Sequence, residues 1–173
     1  MRFNQFRIDT QQIGAGVIVG QSGWETLLEN NKRAYAMQIA PSAAYAYPAL
    51  TPSEFVDRLF ANAGFTPSTA DRNAAIAEFA AAKDISDIAA RARALRDVAD
   101  NSTLIQQEFN RAFVLMDYFG YLRRNPNDSP DSDYSGYDFW LTKLNQFNGD
   151  FQKAEMVKAF ITSGEYRSRF GQP

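Results

Sequence analysis

The sequence predicts an all-α fold: a compact multi-helix assembly of two diverged helical repeats, with an extended arm at its N-terminus. Three observations carry that expectation. Apolar residues recur at three- and four-residue steps along most of the chain, capping residues and prolines punctuate those stretches, and alternation at period two is confined to the first twenty residues.

In chain order, Met1 to Val19 alternates weakly around Phe3, Phe6 and Ile8 and then runs through the glycine-spaced segment Ile13 to Val19, so it reads as an arm or short strand laid on helices. Ser22 and Glu25 form a capping box ahead of Trp24, Leu27, Leu28, Ala34 and Tyr35, a helix ending before Pro41. Pro41 through Pro48 is a connection. Thr51, Pro52 and Glu54 give the strongest start signal in the chain, because a threonine cap, a proline in the first turn and a reciprocal glutamate coincide. Phe55, Val56, Leu59, Phe60 and Ala63 supply that helix's buried stripe, and Gly64 and Pro67 end it. Ser68 and Asp71 open the next, with Ala75, Ile76, Phe79 and Ala80. A third starts near Asp84 or Ser86 and buries Ile88, Ala92, Leu95, Val98 and Ala99.

Ser102 to Arg124 reads as one long amphipathic helix capped by Ser102 and stopped by Asn125-Pro126, its stripe made of Ile105, Phe109, Ala112, Phe113, Met116 and Phe119. A polar loop to Gly136 follows. Tyr137, Trp140, Leu141 and Leu144 mark another helix, Gly149-Asp150 breaks it, and Ala154, Val157, Phe160 and Ile161 continue the pattern to a last helix capped by Ser163.

Two halves overlay. Phe55 to Pro67 resembles Phe113 to Pro126 with one extra residue in the later copy, and Leu95 to Phe109 falls on Met156 to Phe170 without a gap. The expected organisation is an N-terminal arm and first helix over 1–50, a diverged repeat over 51–110, and a second repeat over 109–173 that shares the long helix.

Composition narrows the function. With 18 basic and 20 acidic residues the net charge is -2, which gives no global electrostatic attraction to nucleic acid. No stretch is apolar for long enough to insert in a membrane. The chain holds no cysteine and no histidine, which removes thiolate chemistry, the usual zinc ligands and the commonest general base. Acidic pairs such as Glu54 with Asp57 lack a spacing that sets them across one bond, and no phosphate-binding loop is present, so a non-enzymatic role is expected.

The polar loop is the sharpest constellation. Asp131, Asp133 and Ser135 occupy alternating positions before Gly136, like the first half of a calcium loop, but Thr142 stands where the closing glutamate belongs. The competing reading is that Asp133 or Ser135 caps the following helix. Tyr118, Tyr121, Tyr134, Tyr137 and Trp140 are candidates for an aromatic peptide or glycan surface, the tyrosines with their hydroxyls in water and Trp140 weighed against a place in the core. Arg124 is expected to pin the loop through Asp131 or Asp133.

Phe55-Val56-Asp57-Arg58-Leu59-Phe60, Phe119 through Pro126, then Asp131, Gly136, Tyr137, Phe139, Trp140 and the closing Phe160 through Arg167 resemble the bacterial domain of unknown function 4214. The second half carries the match over roughly Phe109 to Phe170. The first half has no arginine-rich start at Gly64 to Ser68 and no tryptophan opposite Trp140. The chain also looks like the C-terminal region of large exported acidobacterial proteins and is distantly similar to phycobilisome linker repeats. The resemblance implies a helical structural or protein-interaction module of a secreted or cell-surface protein, in contact with another protein or a neighbouring domain, with no established catalytic residues. The alternative is a carbohydrate- or calcium-dependent binding module using the Asp131 to Tyr137 loop.

Overall fold

The computed structural model describes residues 3–42, 50–82 and 84–171, and among them it contains nine α-helices and no strand. The chain divides into two compact units, Asn4–Ile105 and Gln106–Pro173.

In the N-terminal unit, α1 spans Phe3–Ile13, so the expected extended arm is instead a helix. Arg7, Gln11 and Gln12 favour helix, and the stop comes only where Gly14 and Gly16 follow. Asn31 then donates to the carbonyls of Ile13 and Ala15 at 3.0 and 2.9 Å, tying the loop to α2, Trp24–Ile39. The expected Ser22–Glu25 box does not form. The cap is Gly23, left-handed at φ 82, and no side chain bonds the helix start. Leu27 is exposed and so is Ala34; α2 buries Ala36 and Ala40 instead. The expected connection from Pro41 to Pro48 lies mostly outside the described residues.

The start of α3, Pro52–Ala63, is the one the sequence spells out. Thr51 accepts from the Glu54 N–H, Glu54 accepts from the Thr51 N–H at 2.8 Å, and left-handed Gly64 closes the helix. Ser68 caps α4, Thr69–Ala77. Asp87, not Asp84 or Ser86, caps α5, Ile88–Ala99, by accepting from the Ala90 N–H. Asp84 serves the turn before it, accepting from the Ser86 N–H, and Ile88 and Ala99, expected in the buried stripe, are exposed. Phe55, Val56, Leu59 and Phe60 form the core with Ala75, Phe79, Ile85, Ala90, Ala94 and Val98. Ala36 and Ala40 of α2 meet Ala92 of α5, where the small side chains allow close helix approach.

The long helix, of which Gln106 onward belongs to the C-terminal unit, is shorter than expected. The α-helix α6 covers Ser102–Asp117, and a π-turn, Tyr118–Leu122, ends at left-handed Arg123, φ 54. Asn101, rather than Ser102, caps α6 by accepting from the Thr103 N–H. The expected stripe is also displaced by one position. Asn110, Val114 and Asp117 are buried, whereas Ile105, Phe109 and Met116 are exposed. After the loop come α7, Ser135–Gln146, α8, Met156–Thr162, and α9, Gly164–Phe170, the last capped by Ser163 as expected. Val114, Tyr118, Leu122, Leu144, Ala154, Met156 and Phe160 make the core, with Trp140 and Tyr166 packed against it.

In the register read from the sequence, Val56, Leu59 and Phe60 fall on Val114, Asp117 and Tyr118, and all six are buried. Gly64 and Arg123, both left-handed, each stand three residues before a proline. In that register the extra residue of the later segment falls in the π-turn.

Candidate functional site

The polar loop is fastened by one buried cation. Arg124 is 7% exposed at its side chain, and each guanidinium nitrogen is used. Nη1 donates to the carbonyls of Asn125, Pro126 and Asp128, each at 3.1 Å, so it holds the loop backbone. Nη2 donates to Asp131 Oδ2 at 2.7 Å and to Glu165 Oε2 at 3.1 Å, and Nε donates to Glu165 Oε1 at 2.8 Å. The guanidinium also lies 5.1 Å from the Tyr118 ring centre. Burial alone would lower the pKa of this group, but the bonds to Glu165 and Asp131 outweigh it and raise the value, so the site holds a permanent positive charge.

The expected Arg124–Asp131 bridge is therefore present. Glu165, which supplies the forked pair, is a partner that spacing along the sequence does not name; the Ser163-Gly164-Glu165-Tyr166 segment is the available signal. Asp128 accepts from the backbone and side-chain N–H groups of Asn125, closing the turn from within. Neither Asp133 nor Ser135 caps α7 as expected: the cap position is Tyr134, with no side-chain bond to the helix start. Asp133, one residue earlier, accepts from the Ser135 N–H at 2.8 Å in an Asx turn, and bonding from Ser135 holds its carboxyl below the usual range. Among the described residues no three acidic side chains gather where a metal ion would sit.

The aromatic candidates do not share one surface. Tyr118 is only 3% exposed; burial, with the Asp131 charge, pushes its hydroxyl up to about 12, which corrects the expectation of a solvated tyrosine there. Tyr121 is half-buried between Phe160 and Tyr166. Tyr137 is half-buried, and its hydroxyl donates to the Arg111 carbonyl at 3.2 Å. Trp140 packs on Phe160, ring centres 5.5 Å apart, with Lys143 over its ring, so it belongs to the wall of the core. Tyr134 and Phe139 are the exposed ones. Gly136 explains why the loop lies so close: a Cβ there would stand 2.7 Å from the Tyr118 hydroxyl.

Two larger grooves lie among the described residues. One of about 580 Å³ is lined by Met116, Phe119, Gly120, Arg123, Arg124 and Asn125, beside the π-turn, and the Arg123 guanidinium lies over the Phe170 ring. The other, about 510 Å³ between α2 and α5, is lined mainly by charges that satisfy one another: Arg96 holds Glu29 and Asp100, and Arg93 holds Glu78. Neither contains a nucleophile with an adjacent base. No family model, curated protein or solved structure matches the chain.

Proposed function

We propose that this chain is a non-catalytic structural or protein-interaction module of the kind its sequence resembles, the domain of unknown function 4214, carried on a larger secreted or surface-associated bacterial protein. One observation supports the reading above the others. Three of the residues that carry the resemblance, Arg124, Asp131 and Glu165, are joined through the arginine, which supports reading this part of the motif as a fastener. A fastened loop displays what stands at its edge, here Tyr134 and Phe139, both exposed and both packed on partly buried rings of the same unit. Rigid display reduces the ordering cost of binding, and exposed aromatic anchors on a held loop are the usual means of protein recognition. In the same reading the two halves descend from one duplicated helical unit, the later keeping the loop and the earlier losing it.

A photo-crosslinking residue at Phe139 tests this, with the same group at the exposed Lys153 as control. Irradiation in an extract of the source cells is expected to give a discrete protein adduct from position 139 only, lost on Tyr134→Ser. Equal labelling from both positions, or saturable glycan-array binding with no protein adduct, would overturn it.

A further inference from the structure

Three locally unfavourable features converge on the groove of about 580 Å³ beside the π-turn, which lies wholly within the C-terminal unit. Gly120 stands inside a helical stretch, where glycine weakens the helix relative to alanine, and nothing local asks for it. Its backbone is not left-handed, and a Cβ built there would meet nothing within 4 Å beyond its own helix. The missing side chain leaves open floor alongside Met116 and Phe119, which line the same groove. Arg123 is left-handed at φ 54, a strained conformation for a residue with a side chain, where the earlier segment carries Gly64. The π-turn between them is a rare form that recurs at functional sites. Arg123 lines the groove and is exposed, its guanidinium lies 5.7 Å from the Phe170 ring centre, and among the described residues no carboxylate pairs with it.

We propose that this groove binds a small apolar monocarboxylate, its carboxylate forked on the Arg123 guanidinium and its hydrocarbon body laid over Met116, Phe119 and Gly120. Charge complementarity selects the head group. Arg123 offers a planar fork of donors that matches a carboxylate, whereas the neighbouring Arg124 is already taken by Asp131 and Glu165. Asp128 also lines the groove, its carboxylate accepting from the Asn125 backbone and side chain, and it repels a second negative charge on the ligand. A monoanion is therefore favoured over a phosphate ester. Size selects the body. The volume falls within the roughly 300–1,000 Å³ of sites for small ligands, and the lining is too short a stretch for the roughly 20–30 residues a side of a protein interface. This is a role beyond the display of Tyr134 and Phe139, neither of which lines the groove.

Titration of the isotope-labelled full chain with phenylbutyrate, followed by NMR, tests it. Saturable shifts of the Gly120 amide and the Arg123 side-chain N–H are expected, with Kd between about 0.1 and 1 mM. Phenylbutanol keeps the body and loses the charge, and should bind at least about tenfold more weakly. Arg123→Gly and Gly120→Leu should each weaken phenylbutyrate by a similar factor without lowering the melting temperature, because the first relieves a left-handed arginine and the second removes glycine from a helix. Loss of binding without loss of stability is what a merely structural role would not give. No saturation by about 10 mM overturns the proposal, and so does equal affinity for the alcohol or affinity unchanged in Gly120→Leu. Tighter binding of acetyl-diglycyl-phenylalanine than of phenylbutyrate would assign the groove to a chain terminus and overturn it as well. Position-139 crosslinking reads a different surface, so a chain that ignores phenylbutyrate and still gives its adduct sinks the carboxylate site alone.

Discussion

Arg124 and Glu165, forty-one positions apart, meet through two parallel hydrogen bonds, Nε to Oε1 at 2.8 Å and Nη2 to Oε2 at 3.1 Å. The forked geometry matters because the arginine is buried while the glutamate keeps some water contact, so most of the desolvation cost falls on the cation. Everything between them in the sequence, the loop and α7 and α8, is enclosed by this one closure.

Arg124→Ala should therefore be costly. It takes the cation from Asp131, leaves Glu165 only the longer pair with Arg169 at 3.7 Å, and frees three loop carbonyls at once; with Asp131 partly exposed, the loss should fall toward the lower part of the roughly 3–5 kcal/mol typical of a broken buried pair. Arg124→Lys keeps the charge but not the fork and should recover less than half of that. Denaturant unfolding followed by Trp140 fluorescence in a Trp24→Phe background isolates the unit concerned. A loss under 1 kcal/mol for the alanine variant would show that the loop does not depend on this residue.

Gly136 and Tyr118 make a second, separable test. A methyl group at 136 meets the Tyr118 hydroxyl at 2.7 Å, and the ring is too buried to swing away, so Gly136→Ala should cost about 1–3 kcal/mol. Tyr118→Phe removes the oxygen that clashes. The double variant is expected to regain most of the loss, and a cost that persists in it would place the strain in the backbone instead.

Sequence reasoning reached furthest where the signal is local. The Thr51 box, the Ser68 and Ser163 caps and the Gly64 stop depend on residues within a turn of one another, and each forms as read. It failed on α6, because the face turned inward carries Asn110 and Asp117 while the outward one carries Phe109 and Met116. Ranking faces by apolarity selects the wrong one there. What reverses the choice is tertiary: Asn110 donates to Asn145 at 2.8 Å, and a Cβ on Gly149, left-handed at φ 81, would come within 2.8 Å of the Asn110 amide oxygen. Neither contact has a signature within α6. At the site, Arg124 and Asp131 are seven residues apart and were legible, whereas Glu165 approaches only once α7 to α9 have folded back.

Calcium can be tested against the loop directly. Asp131 Oδ2 accepts from Arg124 and Asp133 Oδ1 accepts from the Ser135 N–H, so both carboxylates have partners already. Excess chelator is expected to leave the Trp140 unfolding transition unmoved, and added calcium likewise. A calcium-dependent rise that Asp131→Asn and Asp133→Asn together abolish would restore the calcium-loop reading.

Asp117 sets a pH dependence of its own. It falls on Leu59 in the register read from the sequence, its Oδ2 is buried without a hydrogen-bond partner, and burial raises its pKa from 3.8 to about 7. The folded state thus holds this proton more tightly than the unfolded chain does. Its contribution is fully present below about pH 4, declines as pH rises toward 7, and is absent above that, with an upper bound of about 4 kcal/mol on the difference. Carboxyls held low by partners, such as Asp57 beside Arg72, slope the opposite way below pH 4, so the comparison must be between variants rather than across pH alone. Asp117→Asn should be more stable than wild type at pH 8, less so at pH 5, and should lose the slope between. Parallel wild-type and variant profiles from pH 4 to 8 would mean that the carboxyl titrates normally and reaches water in solution.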